Sequence, residues 1–168
     1  MTTQPRRRNS YRLAGHDYSD SSYAYFATID VKIRHVAPGS TTDLLAPFTS
    51  CMALGQQAND SLLFYRAQGK LLIYAYCLMP AHLHLLGSPQ AGENLSVVLG
   101  SYESYVTRLA WSYGVVGKLW QRSFYDHILR QSNDAQAVIA YILNNPVKAG
   151  LVADWHDWPW CGMPDPWS

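Results

Sequence analysis

Residues 70–86 read KLLIYAYCLMPAHLHLL, and the way this stretch divides decides the fold. Lys70 to Leu78 is a continuous apolar run rich in aromatic and aliphatic side chains and predicts a strand. Met79-Pro80-Ala81 interrupts it, because proline cannot donate to a ladder. His82 to Leu86 then resumes with strict alternation and predicts a second strand, ended by the turn-rich residues Gly87 to Gly92. Upstream, Tyr23 to Ile33 (YAYFATIDVKI) is aromatic and β-branched and predicts another strand. His35 to Thr42 contains Pro38-Gly39 and reads as a loop. From about Leu44 to Gln68, Cys51, Leu54, Ala58, Leu62, Phe64 and Tyr65 fall near helical spacing, with Pro47 and Gly55 blurring the start.

Downstream, Leu95, Val98, Leu99, Tyr102, Val106, Leu109 and Tyr113 step by threes and fours. They predict an amphipathic helix capped by Asn94 and ended at Gly114. Leu119 to Arg130 reads as extended. Ser132 or Asn133 can cap a third helix with the buried stripe Ala135, Val138, Ile139, Ile142 and Leu143, which Pro146 is expected to end. Residues 1–22 read as a basic arm and residues 153–168 as a loop-like, tryptophan-rich tail. Strands joined without long crossovers, with helices gathered on one face, imply an α+β sandwich on an antiparallel sheet.

The chain has 168 residues, of which 48% are hydrophobic and 15% charged, suiting one compact domain, residues 1–168. No stretch supplies the roughly 20 apolar residues of a membrane helix, and the basic start MTTQPRRRNS lacks the apolar core of a secretory signal, so a cytoplasmic location is expected. Cys51, Cys77 and Cys161 show no CxxC pairing, which argues against a disulfide framework or a tetrahedral zinc cluster. The net charge of +1 hides an asymmetry. Arg6, Arg7, Arg8 and Arg12 have no acidic neighbour before residue 17, and Arg108, Lys118, Arg122, Arg130 and Lys148 outnumber Asp126 and Asp134 between residues 104 and 151. Such regions either track phosphates or are ordinary solvated surface.

His82-Leu83-His84 is the sharpest chemical feature. On a strand, residues i and i+2 point the same way, so two imidazoles project from one face. They are either half of a divalent transition-metal site or two polar groups on a solvent-facing strand. Tyr141 and Asn145 stand four apart on the third helix, sharing a face. Tyr141 lies off the apolar stripe and can serve as a nucleophile if a nearby cation or base favours its phenolate; otherwise it packs half-buried. Because Pro146 biases its predecessor toward extended backbone, Asn144 rivals Asn145.

Taken together, MPAHLHLL (79–86), FYDHILR (124–130) and YILNNPVKAGLV (141–152) resemble the IS200/IS605-type single-tyrosine transposases. The segment YRLAGHDYSDSSYAYFATI (11–29) and the length are most similar to their REP-associated branch. The resemblance runs from about Tyr11 to Trp160. It implies a ferredoxin-like sheet with a His-hydrophobic-His motif on a central strand, here His82 and His84, and a helix carrying the nucleophile, here Tyr141. It also implies that Asn145 completes a site for Mg²⁺ or Mn²⁺, with Mn²⁺ favoured because imidazoles are unusual partners for Mg²⁺. The family usually reads MPNHxH, whereas this chain has Ala81 in place of the asparagine.

The activity so implied is cleavage and rejoining of hairpin-bearing single-stranded DNA through a 5′-phosphotyrosine, by a monomer or homodimer, at a REP-like palindrome. Arg6, Arg7, Arg8, Arg12, Arg122, Arg130 and Lys148 are the candidate phosphate contacts. Trp155, Trp158, Trp160 and Trp167 either stack on unpaired bases or pack over the domain; their neighbours Asp154, Asp157 and Asp165 favour packing. Asp126 and His127 read as a structural pair or as supports for the site, and Tyr125 is the alternative nucleophile. Two rivals remain, a catalytically silent hairpin-binding module of the same fold and an unrelated metallohydrolase built on the paired histidines.

Overall fold

The computed structural model describes residues 15–122, 125–129 and 132–167. Arg6, Arg7, Arg8, Arg12 and Arg130 lie outside the described residues. A five-stranded antiparallel sheet carries the strands β1 (Ala24–Asp30), β3 (Leu71–Met79), β4 (His82–Pro89), β6 (Tyr125–Leu129) and β7 (Cys161–Gly162) in the order β6-β1-β4-β3-β7. β1 and β3 are joined through α1 (Pro47–Ser50) and α2 (Met52–Ala67), and β4 and β6 through α3 (Leu95–Trp111). The four strands β6-β1-β4-β3 therefore have the order of two interleaved βαβ units, the ferredoxin-like arrangement. α4 (Ser132–Lys148) follows, and a small separate ladder pairs β2 (His35–Val36) with β5 (Val115–Val116).

Pro80 and Ala81 form a two-residue turn between Met79 and His82, which pair across the hairpin. Beyond the turn, the register sets the two faces. Leu83 and Leu85 join Tyr25, Ala27 and Ile29 in a core covered by α2 and α3, which supply Leu54, Leu62, Leu99 and Tyr102. Leu86, Ala75, Cys77 and Met79 face the other way, into a second core under Ala135, Ile139, Ile142 and Leu143 of α4. The helices are thus divided, two on one face and α4 on the opposite one, rather than gathered on a single face. A bulge at Tyr74, between Ile73↔Gly87 and Ala75↔Leu86, reverses which side of β3 faces which core.

Other expectations need correction in detail. The region read as one helix from about Leu44 to Gln68 is two, because Cys51 adopts an extended conformation (φ −126°, ψ 89°) between them. The loop expected at 35–42 includes β2, which pairs with a partner far along the chain. Pro146 does not end α4. It sits in the last turn, where helix continues past it, and the end comes at Gly150 (φ +70°). There Leu151 donates to Pro146 O and Gly150 to Val147 O, both at 2.9 Å, which closes the helix as a Schellman motif.

The tryptophan-rich tail builds part of the sheet instead of being a loop throughout. After one turn of 3-10 helix (Trp155–Asp157), β7 adds to β3 as an edge strand. Trp160 is buried over Gly55 of α2, and truncating an indole so completely buried to alanine costs roughly 3–5 kcal/mol. Trp158 donates its indole N–H to Leu78 O at 2.9 Å. Asp165 accepts two bonds from Arg66 of α2, at 2.7 and 2.8 Å, and one from Ile73 N–H at 2.7 Å, so the tail is fastened beside the bulge. The Arg66 guanidinium holds the Asp165 carboxyl below the usual carboxylate range. Among the described residues, no helix is long and apolar enough to cross a membrane.

Candidate active site

β4 presents His82 and His84 on the α4 side of the sheet while Leu83 enters the opposite core, as period-2 alternation requires. Their ring centroids are 4.6 Å apart. β1 and α4 supply the surroundings. In register, Thr28 pairs with His84 and Asp30 with His82, so alternate residues of β1 lie beside the two histidines. Thr28 Oγ1 is 2.9 Å from His84 Nδ1, which occupies that ring nitrogen and turns Nε2 outward from β1.

α4 crosses the same face and brings Tyr141 and Asn145 to His84. The Tyr141 ring is 5.5 Å from the His84 ring and 5.9 Å from Phe26, edge-on to both, and remains 42% exposed. The Asn145 side chain lies close enough to His84 to act against the lowering of its pKa. Its Nδ2 donates to Tyr141 O at 2.7 Å, which leaves Oδ1 as an acceptor without a bond to the helix backbone. Helix continues through Asn145, so the two residues share a face; Asn144 is exposed and turned away. Of the two asparagines, Asn145 is the one that shares the face of Tyr141.

Burial controls the protonation of this cluster. Loss of hydration pulls His84 down to about 4, helped by the neighbouring His82 and opposed by the Asn145 side chain. His82 is lowered too, chiefly by burial, with Asp30 acting against the shift. Both rings are therefore neutral near pH 7, the form that ligates a metal. By donor chemistry, two neutral imidazoles and an amide oxygen fit a divalent transition ion better than a hard oxygen-seeking one. Among the described residues no three His, Cys, Asp or Glu side chains gather into a cation cluster.

The candidate phosphate contacts separate. Lys148, two turns beyond Tyr141, places Nζ 5.2 Å from the centre of the tyrosine ring and so borders the site. Arg122 lies away from it, in a groove between α3 and the β2–β5 ladder. His127 is exposed on β6, in register with Phe26. Tyr125 pairs with Thr28 in the cross-strand row of His84, and the side chains of Tyr125 and Asp126 are outside the described set. Ala81 contributes its backbone carbonyl, which accepts from Val31 N–H at 2.9 Å, a bond that any residue there would make.

Phe26, Thr28 and Asp30 were not among the residues singled out from the sequence. The alternation of YAYFATIDV puts the three on one face, but only the pairing of β1 with β4 sets that face against the histidines.

No protein-family model matches the chain. A putative REP-associated tyrosine transposase of Haemophilus influenzae is 32% identical to it, over 51% of this chain and 55% of that protein. The REP-associated tyrosine transposase of Escherichia coli K12 is 28% identical, over 52% of this chain and 51% of that protein. The chain thus spans about half the length of the curated relatives it matches. A solved structure of a REP-associated tyrosine transposase bound to a REP hairpin shares its fold, with a TM-score of 0.65, 20% identity, and coverage of 89% of this chain and 82% of the other. In sequence over about half its length, and in fold over most of it, the chain is similar to the REP-associated tyrosine transposases, which bears out the resemblance that its three motifs carry.

Proposed function

We propose that the chain is a metal-dependent DNA strand transferase that cleaves and rejoins hairpin-bearing single-stranded DNA through a 5′-phosphotyrosine intermediate. One observation carries the reading: an accessible phenol from α4 stands 5.5 Å, ring to ring, from a neutral imidazole of the central strand, with the Asn145 side chain beside that imidazole. The similarity to REP-associated tyrosine transposases supports the choice of substrate.

His82, His84 and Asn145 would hold the cation, and Thr28 would fix the orientation of the His84 ring. The cation, Mg²⁺ or more effectively Mn²⁺, supplies charge neutralisation at the scissile phosphate and its departing oxygen. Tyr141 Oη attacks phosphorus in line, forming the tyrosine–phosphate bond as the bond to the 3′ oxygen breaks. The phenol proton passes to solvent and the leaving oxygen becomes a 3′-hydroxyl. Lys148 places a positive charge beside the ring, where the phosphate approaches. A 3′-hydroxyl attacking the phosphotyrosine reverses the step and rejoins strands, so no nucleotide hydrolysis is needed.

The test is incubation with labelled single-stranded hairpin DNA and Mn²⁺, followed by denaturing electrophoresis. A covalent protein–DNA band that EDTA and Tyr141→Phe each abolish, while Tyr141→Phe still binds the hairpin, is expected. Binding with no covalent band in Mn²⁺ or Mg²⁺ would leave a silent binding module. Hydrolysis insensitive to Tyr141→Phe would point to a metallohydrolase instead.

A further inference from the structure

A second groove lies beyond the end of β1, between α3 and the β2–β5 ladder, with a volume of about 980 Å³. Five cations line it, Lys32, Arg34, Arg108, Lys118 and Arg122, all exposed, against one carboxylate, Glu103. None of the five forms an ion pair with a described residue. They come from three separate chain segments, so their convergence is a product of the fold.

An aromatic surface lies among these charges. Trp111, on the last turn of α3, is 53% exposed, an unusual position for so large an apolar group. It is held in place, because its indole N–H donates to Gly117 O at 2.7 Å. A fixed, solvent-facing indole ringed by cations has the composition of a surface that stacks an unpaired base while pairing with its phosphates. A duplex offers its phosphates but no open base face, so the indole favours single-stranded nucleic acid.

The groove is also tied to the strand that flanks the histidines. Gln121 N–H donates to Asp30 O at 2.8 Å and Lys32 N–H to Leu119 O at 2.7 Å, so one wall of the groove is bonded to the end of β1. Asp30 in turn pairs with His82. The backbone of that wall and the histidine strand are therefore two strand spacings apart, about 10 Å, while α3, the other wall, lies on the face opposite α4.

We propose that this groove binds the unpaired nucleotides flanking the DNA hairpin, with a base on Trp111 and phosphates on Arg34, Arg108, Lys118 and Arg122. The inference rests on the strand-transferase reading for the identity of the nucleic acid, but its test is independent of chemistry. Fluorescence anisotropy in EDTA compares a labelled DNA hairpin bearing ten-nucleotide single-stranded flanks with the same hairpin made blunt.

Trp111→Ala is expected to weaken binding of the flanked probe by roughly tenfold and to leave the blunt probe unchanged, with Trp111→Phe restoring most of the loss. Arg34→Ala and Arg108→Ala should each lower the slope of log affinity against log salt by about 0.7 on the flanked probe. Unchanged binding of the flanked probe by Trp111→Ala, or an equal loss on both probes, would overturn the proposal. If covalent adducts form through Tyr141 while these variants bind like the parent, the groove assignment alone fails. If flank-specific losses appear with no adduct in any divalent metal, the groove stands and the strand-transferase reading fails.

Discussion

His84 makes the metal-free protein sensitive to mild acid. Its imidazole is buried, with 5% exposure, and burial pulls it from 6.5 to about 4. The unfolded chain therefore takes up a proton between these values while the folded chain does not, so stability is full above 6.5 and falls as pH drops toward 4. With those two values, linkage gives a loss of about 2 kcal/mol on going from pH 7 to pH 5 and about 3 kcal/mol by pH 4. Over the interval from 7 to 5 the Asp165 carboxyl, lowered by Arg66, stays ionised, and the contribution of His82, itself lowered by burial, is carried by the parent and the variant alike. Urea unfolding at pH 7 and pH 5 in EDTA, for the parent and for His84→Gln, measures the effect as a difference. The parent should lose about 2 kcal/mol more than the variant over that interval. Equal losses would refute the statement that His84 is held neutral by burial, and with it the readiness of that ring for a metal.

Three further outcomes follow from the same geometry. Mn²⁺ at millimolar concentration should raise the melting temperature of the parent and leave those of His82→Ala and His84→Ala unmoved, as scanning fluorimetry reports. Gly55→Ala, which elsewhere in a helix stabilises by up to about 1 kcal/mol, should here destabilise by about 1–3 kcal/mol in thermal melts, because the new Cβ would meet the Trp160 ring and Phe48 O. Asp165→Asn should lower the urea midpoint by the equivalent of about 2 kcal/mol, a figure reduced because Arg66 is 36% exposed, and should free the tail to limited proteolysis.

The central part of this fold was legible because it is written in local pattern. KLLIYAYCL and HLHLL alternate or run apolar over the length of a strand, and a Pro-Ala turn between them leaves little choice but an antiparallel hairpin. The stripe Ala135, Ile139, Ile142, Leu143 identified α4 and left Tyr141 off its buried face. What escaped depends on partners distant in sequence. β2 and β5 are two residues each, too short for any periodicity to register, and exist because His35–Val36 meets Val115–Val116. β7 is another two-residue strand, created by the Cys77↔Cys161 pairing.

The site divides along the same line. His82, His84, Tyr141 and Asn145 carry recognisable residue types at telling spacings. Thr28 and Asp30 are ordinary strand residues that acquire meaning through register with β4 alone. Pro146 illustrates the opposite error. The rule that proline ends a helix holds for the interior, and in the last turn the Schellman closure at Gly150 overrides it.

The assignment of Tyr141 as the nucleophile is decided by which atom of the chain becomes joined to DNA. Tryptic mass spectrometry of the complex formed with a hairpin oligonucleotide in Mn²⁺, after nuclease trimming, should find a nucleotide linked through its 5′ phosphate to Tyr141, with a free 3′-hydroxyl on the released fragment. A nucleotide on Tyr125, or no modified peptide while the DNA is nonetheless cut, would contradict it.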